Sequence, residues 1–472
     1  MLLIGVDVGT TLAKAGAFNS SGQLVRGAVR RYKFKDGTTE DDPLHWWDAV
    51  ALVLSEVASA CGEKIAGISV GGQGPTMVVL DENAKPICPA ILWMDLRAAE
   101  EAKRLSEMLD RRISPAFFAP KGIWLKEKRP DLYRMTRWLI QPMDYIVYRL
   151  TGEISTGLAT RDIALFREDE ILAGELNPSL FPEIRLMGEV VGAVRREAYL
   201  ATGIPTGAPV FSGAPDFVEA ILGTGTFEKG IVCDRGGTSE GIELCWDREI
   251  RDDRLYSAPH PVAPEMWHLS GTIPTTGKSL EWIGSIIGEP DSEKLTKIAE
   301  DSPPGSRGVV FLPYLAGDRG TDFGSRGMGG FFGLSLEHKR EDIVRSVLEG
   351  CALSIHQVLS VMRKMGARPS EIRVTGSQAM SRLWNQIKAD VTGLKVLVPE
   401  VIEGEVLGAA IISAYGAGLY PDLKSASGAM IKFKDVVLPR DETGPVYEML
   451  SRLQSTLYGA LEKAYVEAEP AL

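Results

Sequence analysis

Short apolar runs of strand length, punctuated by glycine and asparagine, alternate along this chain with longer stretches whose apolar side chains recur every three or four residues. The first runs, Leu2 to Val8 and Leu12 to Phe18, flank a Gly9-Thr10-Thr11 corner. The turn Asn19-Ser20-Ser21-Gly22 then leads to a third run from Gln23 to Val29, which predicts a β-meander. Asp42-Pro43 reads as a helix start, with Asp42 as cap and Pro43 at the first helical position. Trp47, Val50, Ala51, Leu54, Val57 and Ala58 give that helix one apolar face. Ile65 to Val70 predicts a strand that ends in the loop Gly71-Gly72-Gln73-Gly74-Pro75-Thr76, and Thr76 to Leu80 continues as strand. Ala90 to Leu92 closes another run, after which a helix opens from Ala98, with Asp95 as a candidate cap. Ser114 to Lys126 leads into a helix, and Asp144 to Thr151 forms one that stops at Gly152.

In the second half, Pro209 to Phe211 reads as a strand ending in small residues, with Asp216 opening the next helix. Ile231 to Cys245 repeats the opening pattern: strand, Gly237-Thr238-Ser239 corner, strand. Gly277 opens a helix through Leu280, Trp282 and Ile283, Val309 to Leu312 is strand-like, and Gly317 to Gly330 is a glycine-rich loop. A long helix carries Val344, Val347, Leu348, Cys351, Ile355, Leu359 and Met362 on one stripe, where Glu349 and His356 read as satisfied polar neighbours. Ile372 to Thr375 is a strand ending at Gly376-Ser377-Gln378-Ala379, before a helix with Trp384 and Gln386.

Chemistry enters at three places. A carboxylate at Asp7, inside an apolar strand, costs several kcal/mol to bury without compensation, and a hydrated Mg²⁺ is a natural partner. The adjoining Gly-Thr-Thr corner suits phosphate oxygens, although an ordinary hairpin with a polar turn has the same pattern. The second corner, one in each half of the chain, favours a pair of lobes that face one polyphosphate. Asp216, at a helix start behind small residues, is either a helix cap or a base that takes a proton from an attacking hydroxyl. Trp93 offers a flat apolar face to a sugar ring.

Two tempting motifs fail on spacing or context. Gly67-Ile68-Ser69-Val70-Gly71 has the Gly-x-Ser-x-Gly pattern of serine hydrolases, but Ser69 lies inside a strand pattern instead of at a strand-to-helix elbow. Gly271 to Ser279 resembles a P-loop with one residue too many between its glycines and without a strong β-branched run before it.

At 472 residues the chain is too long for one core and predicts two large domains. A net charge of −11 argues against a nucleic-acid or anionic-membrane partner. No apolar run reaches membrane-spanning length, and the expected location is the cytoplasm. The five cysteines, Cys61, Cys88, Cys233, Cys245 and Cys351, are scattered, and the five histidines lack metal-ligand spacing, so reduced thiols are expected and a zinc enzyme is not.

Taken together and in order, these motifs resemble the FGGY family of carbohydrate kinases over nearly the whole chain. Asp7-Val8-Gly9-Thr10-Thr11 with Lys14 is similar to its first phosphate motif, and Gly237-Thr238-Ser239 to its second. Pro120 to Lys126, and Gly330 to Leu334 through Ser346 to Gly350, resemble its two diagnostic patterns. Gly213-Ala214-Pro215-Asp216 resembles its catalytic-base segment, and Gly376 to Ala379 with Trp384 and Gln386 its adenosine motif.

The resemblance implies an α/β chain of two RNase H-like domains, of the actin/hexokinase/Hsp70 superfamily, with a nucleotide and sugar cleft between them. Residues 1–225 would bind sugar and catalyse, 226–438 would bind nucleotide, and 439–472 would form a C-terminal helical segment. It also implies Mg²⁺-dependent transfer of the γ-phosphoryl group of ATP to a terminal hydroxyl of a sugar or polyol by a homodimer. Asp216 would be the base, and Asp7 and Asp216 would hold the metal. ATP would meet Gly9, Thr10, Thr11, Lys14, Gly237, Thr238, Ser239, Gly277, Gly376 and Ser377; the sugar would meet Gln73, Trp93, Asp95, Asp216 and Phe217.

Trp93-Met94-Asp95-Leu96-Arg97 is similar to the xylulokinase branch, which makes a ketose such as xylulose the expected substrate. This chain departs from that branch in having Gly74-Pro75-Thr76 where it has Met-His-Gly, and Phe217 where an amide is usual. The Arg-Glu of glycerol kinases is missing as well. Glycerol, erythritol, ribulose and fuculose remain alternatives. A non-catalytic nucleotide switch of the actin superfamily would lack the sugar-side base, so Asp216 argues against it.

Overall fold

The computed structural model describes residues 1–32, 38–59, 64–159, 167–316 and 329–468, with side chains as far as 461. Cys61 and most of the Gly317 to Gly330 loop lie outside the described residues. The chain divides into two compact units: Met1–Gly225 with Glu405–Ile431, and Thr226–Gly404 with Lys432–Leu472. The segment Glu405–Ile431 therefore clusters with the first unit, where a linear reading of 226–438 placed it in the second. The helix Gly444–Ala468 is part of the second unit.

In the first unit the meander is β1 (Leu2–Val8), β2 (Leu12–Phe18) and β3 (Leu24–Arg31), joined by antiparallel pairing. β4 (Ile65–Gly72) extends the sheet from β1 in parallel, β6 (Pro209–Phe211) adds to β4 in parallel, and β5 (Val190–Ala193) closes the edge antiparallel. Every residue of β1 is buried, as its near-continuous apolar run requires of a central strand covered on both faces. Helix α1 (Pro43–Ser59) covers one face, with Trp46, Val50, Val53, Leu54 and Val57 in the core and the Leu44 N–H bonded to Asp42. The helix Gly404–Gly416 approaches β1 and the helix after β6 by backbone: a Cβ on Gly5 would stand 2.0 Å from the Val406 carbonyl oxygen, and one on Gly408 2.0 Å from that of Glu219. Helices α2 (Phe118–Lys128), α3 (Pro142–Thr151) and α4 (Asp216–Thr224) complete the parts used below. Ser69 is fully buried within β4 and has no elbow around it.

The second unit repeats the plan. β7 (Ile231–Gly236), β8 (Glu240–Trp246) and β10 (Trp267–Ile273) form an antiparallel meander, with β9 (Tyr256–Pro259) outside it. β11 (Glu371–Thr375) and β12 (Lys395–Pro399) extend it in parallel from β7, and β13 (Phe433–Val437) ends the sheet antiparallel. β10 runs into the P-loop-like stretch although none of its residues before Gly271 is β-branched, and Gly271 lies inside the strand. Helices α5 (Gly277–Ile287), α6 (Arg340–Lys364) and α7 (Arg382–Thr392) pack around this sheet and a neighbouring cluster. Among the described residues no helix is long and apolar enough to cross a membrane.

Of the two polar residues expected to be satisfied on α6, Glu349 is, whereas the His356 Nδ1 is buried with no hydrogen-bond partner among the described residues. Glu349 accepts hydrogen bonds from the Gly305 N–H, the Ser306 hydroxyl, Arg345 and Tyr447. His356 is pushed down from 6.5 to about 4 by burial, helped by Arg363. A histidine depressed in the fold binds its proton more readily when unfolded, so its contribution to stability is complete above pH 6.5 and is lost as pH falls towards about 4. H356Q is expected to flatten that limb of a stability-against-pH curve measured by urea unfolding.

Candidate active site

In the first unit, four acids from three parts of the chain converge. Asp7 is buried near the end of β1, opposite Lys14 on β2 and Gly71 on β4. Asp216 is the first residue of α4 and half-buried, its Oδ1 accepting the Phe217 N–H at 2.7 Å. Glu219, one turn on, is fully buried. Burial, and then the charges of Asp7, Asp216 and Glu405, push the Glu219 carboxyl well above its ordinary range, against a bond from the Ala214 backbone. Gly71 makes room for it, since a Cβ there would fall 1.9 Å from Glu219 Oε2.

Pro215 bridges in parallel to Gly72, so Asp216 follows directly from the carboxyl ends of adjacent parallel strands, the edge of an α/β sheet where ligands bind. Among the described residues no three His, Cys, Asp or Glu side chains form a closed ligand set. Mg²⁺ needs none, because one or two carboxylates suffice and the ion keeps most of its waters. A cluster whose mutual repulsion already raises one of its members fits a hydrated hard cation of this kind.

The first corner is tied to the predicted sugar side. Gly9 N–H bonds to the Leu12 carbonyl at 3.0 Å, which closes the turn and leaves Thr10 and Thr11 half-buried at its tip. Thr10 Oγ1 donates to Gln73 Oε1 at 3.1 Å and accepts from Trp93 Nε1 at 3.0 Å. Gln73 Nε2 reaches the Gly9 carbonyl at 3.4 Å. The polar ends of Gln73 and Trp93 are thus engaged with the corner. Asp95 is not a helix cap: the helix Ala99–Leu109 is preceded by Ala98, and the Asp95 carboxylate instead accepts two-pronged bonds from Arg97. Burial opposes ionisation of Asp95, but the Arg97 and Thr39 bonds and the Arg97 charge outweigh it and hold the carboxyl below its usual range.

The second corner is braced from behind. Thr276, Gly277 and Lys278 donate their backbone N–H groups to the carbonyls of Thr238, Gly237 and Thr238 at 3.3, 3.1 and 3.1 Å, so the start of α5 is pinned to the Gly237-Thr238-Ser239 corner. Amides so engaged cannot cradle a phosphate as a P-loop does, which confirms the rejection of that motif on different grounds. Gly277 and Gly376 are required by close approach: a Cβ would lie 2.3 Å from the Gly237 oxygen in the first case and 2.2 Å from the Gly236 oxygen in the second, where φ is also +85°. Gln378 links this cluster through Nε2 to the Gly237 carbonyl and the Thr276 hydroxyl. Thr238 and Ser377 are exposed and Ser239 is half-buried.

Beneath the corner lies a group that the sequence reading missed. Lys388, on α7 and 1% exposed, donates to Asp234 on β7 at 2.7 Å and to Glu240 on β8. Burial opposes its charge, but the two acids hold the ammonium well above its ordinary range, while burial and Asp234 push Glu240 up. Glu219 was missed as well, although its i+3 spacing from Asp216 puts both on one helix face.

Two α/β units, each with a hydroxyl-bearing hairpin corner and one with an acid cluster at its sheet edge, make up the two-domain carbohydrate kinase fold. The N-terminal domain model of the FGGY family of carbohydrate kinases matches residues 2–223, and the C-terminal domain model of that family matches 235–417. The chain belongs to the FGGY family and is a sugar kinase. Among curated relatives, the xylulose kinase of Staphylococcus epidermidis is 28% identical over 97% of this chain and 96% of its own. The gluconokinase of Bacillus subtilis is 27% identical over 98% and 97%. Of solved structures, the xylulose kinase from Rhodospirillum rubrum superposes with a TM-score of 0.81 at 28% identity, covering 98% of this chain and 100% of that one. A ligand-bound xylulose kinase from Lactobacillus acidophilus, at 23% identity with a TM-score of 0.86 and 99% coverage of both chains, supports the fold.

Proposed function

We propose that the chain transfers the γ-phosphoryl group of ATP to a terminal hydroxyl of a ketose, xylulose first, with Asp216 as the base. The observation that carries this reading is the place of Asp216: half-exposed at the sheet edge and next to the buried acids Asp7 and Glu219. In the step, the hydroxyl proton passes to the Asp216 carboxylate, the hydroxyl oxygen bonds to the γ-phosphorus, and the bond to the β,γ-bridging oxygen breaks to release ADP. Asp7 and Asp216 would hold Mg²⁺ through water, and the ion when bound would offset phosphate charge. Thr10, Thr11 and Lys14 in the first unit, and Thr238 and Ser239 in the second, would meet phosphate oxygens. Gly277, Gly376 and Ser377 would border the adenosine. Gln73, Trp93, Asp95 and Phe217 would face the sugar, Trp93 by its ring, since its N–H is bonded to Thr10.

Gluconate is the second acceptor to consider, because curated gluconokinases match the chain over nearly its full length. ADP release measured with ketoses, aldoses, polyols and gluconate separates these readings: the xylulose reading requires the highest kcat/KM for a ketopentose, and a gluconate preference would replace it. G277A, whose new methyl group would collide with the Gly237 carbonyl, is expected to raise the ATP KM about tenfold and leave the acceptor KM unchanged. Initial rates at varied ATP and acceptor would show it.

A further inference from the structure

Lys121 is completely buried on α2, and among the described residues no carboxylate lies within ion-pair distance of it. Its Nζ donates instead to three backbone carbonyls: Pro75 at 2.9 Å, Leu92 at 3.0 Å and Ile91 at 3.3 Å. An ammonium has three N–H donors and no acceptor, so three carbonyls satisfy it completely. The arrangement is unusual for packing alone, since a buried ammonium carries a desolvation penalty that methionine or leucine would not. Burial pulls Lys121 down to about 7, with Asp95 opposing and Arg97 reinforcing the shift.

The three carbonyls belong to two segments. Pro75 is in the loop Gln73 to Thr76, while Ile91 and Leu92 lead into Trp93 and Asp95. Met77 and Ile91 already pair by reciprocal backbone bonds at 2.9 Å, and the Trp93 N–H reaches Thr76 Oγ1 at 3.0 Å. Lys121 adds the tie that joins the Pro75 side of the loop to the opposite segment.

We propose that Lys121 is a positioning residue for the acceptor site: its ammonium locks the Gln73–Thr76 loop to the Ile91–Asp95 segment and so sets the spacing of Gln73, Trp93 and Asp95. The inference rests on the reading that those three side chains face the sugar. It also gives a physical task to the lysine of the Pro120 to Lys126 pattern, which the motif alone did not supply.

The test compares K121M and K121Q with the wild type as whole proteins, by initial rates and by amide hydrogen exchange without substrate. K121M is expected to raise the acceptor KM at least tenfold with the ATP KM within twofold, and to speed exchange in peptides covering residues 73–95 but not in those covering 231–246. K121Q keeps two N–H donors and is expected to fall between the two; it carries the same comparison if K121M does not fold. A merely structural role would lower the melting temperature and the active fraction without splitting the two KM values. Unchanged exchange in 73–95 overturns the tie itself. Faster exchange with an unchanged acceptor KM overturns the positioning role, and locates the fault in the assignment of Gln73, Trp93 and Asp95 to the sugar side.

Discussion

Replacing Asp216 with asparagine is expected to lower kcat by about 10²–10⁴-fold, the range that a positioned general base contributes. The amide preserves the size of the side chain and an oxygen for the Phe217 N–H, but it accepts no proton from an attacking hydroxyl. ATP affinity, read by calorimetry without sugar and without Mg²⁺, should stay within a few-fold, because the direct nucleotide contacts are assigned to other residues. Stability should change by no more than about 1 kcal/mol, the scale of a helix-start hydrogen bond. D216A should lose as much activity and slightly more stability. A D216N enzyme that keeps a tenth of the wild-type rate at saturating sugar would exclude Asp216 as the base. Loss of ATP binding together with the rate would move the residue to the nucleotide side.

The second large effect is on stability. K388M would remove the cation from a fully buried trio and leave Asp234 and Glu240 facing one another. Breaking a buried pair from one side typically costs about 3–5 kcal/mol. The second unit should therefore unfold at clearly lower urea concentration than in the wild type, in a transition monitored by hydrogen exchange of the Ile231–Trp246 hairpin. The cause can be isolated: K388M combined with D234N and E240Q removes the uncompensated charge and should recover part of the loss, though it leaves two buried amides without the lysine donor. Because Asp234 and Glu240 sit on the strands that present Thr238 and Ser239, any folded K388M protein should also show a raised ATP KM. A midpoint unchanged by K388M would mean that the trio has no role in holding the hairpin.

What was legible in the sequence was periodicity and punctuation. The two meanders stood out because Leu2 to Val8 is apolar nearly throughout, Ile231 to Cys233 opens the second in the same way, and each strand leads into a glycine corner. Helix α1 could be read from its cap and stripe, and both were found. Contacts between distant parts of the chain were not legible. Nothing local shows that Glu405–Ile431 clusters with the first unit; its glycines, spaced for close helix packing, do not name the strand they meet. β10 was overlooked because Trp267-His268-Leu269-Ser270-Gly271 mixes polar and small residues, and its place in the sheet comes from cross-strand pairing with β8. Asp95 has the sequence context of a cap, yet the stronger two-pronged bond to Arg97 two residues away takes its carboxylate.

The acid cluster shows the same division. Asp7 and Asp216 could be singled out because a carboxylate in an apolar strand and one behind a Gly-Ala-Pro segment are each out of place locally. Glu219 and Lys388 looked like ordinary helix residues, and only their complete burial against other charges shows otherwise. Lys121 was visible only as one letter of a diagnostic pattern until its three carbonyl partners were seen.

The most direct measurement is product analysis by ³¹P and ¹³C NMR after incubation of the wild-type enzyme with ATP, Mg²⁺ and each acceptor of the panel. Stoichiometric ADP and a phosphomonoester on a terminal carbon of a ketopentose are expected. ATP turnover that no acceptor stimulates above the sugar-free control, or a phosphate placed on an anomeric or internal hydroxyl, would contradict the proposed reaction.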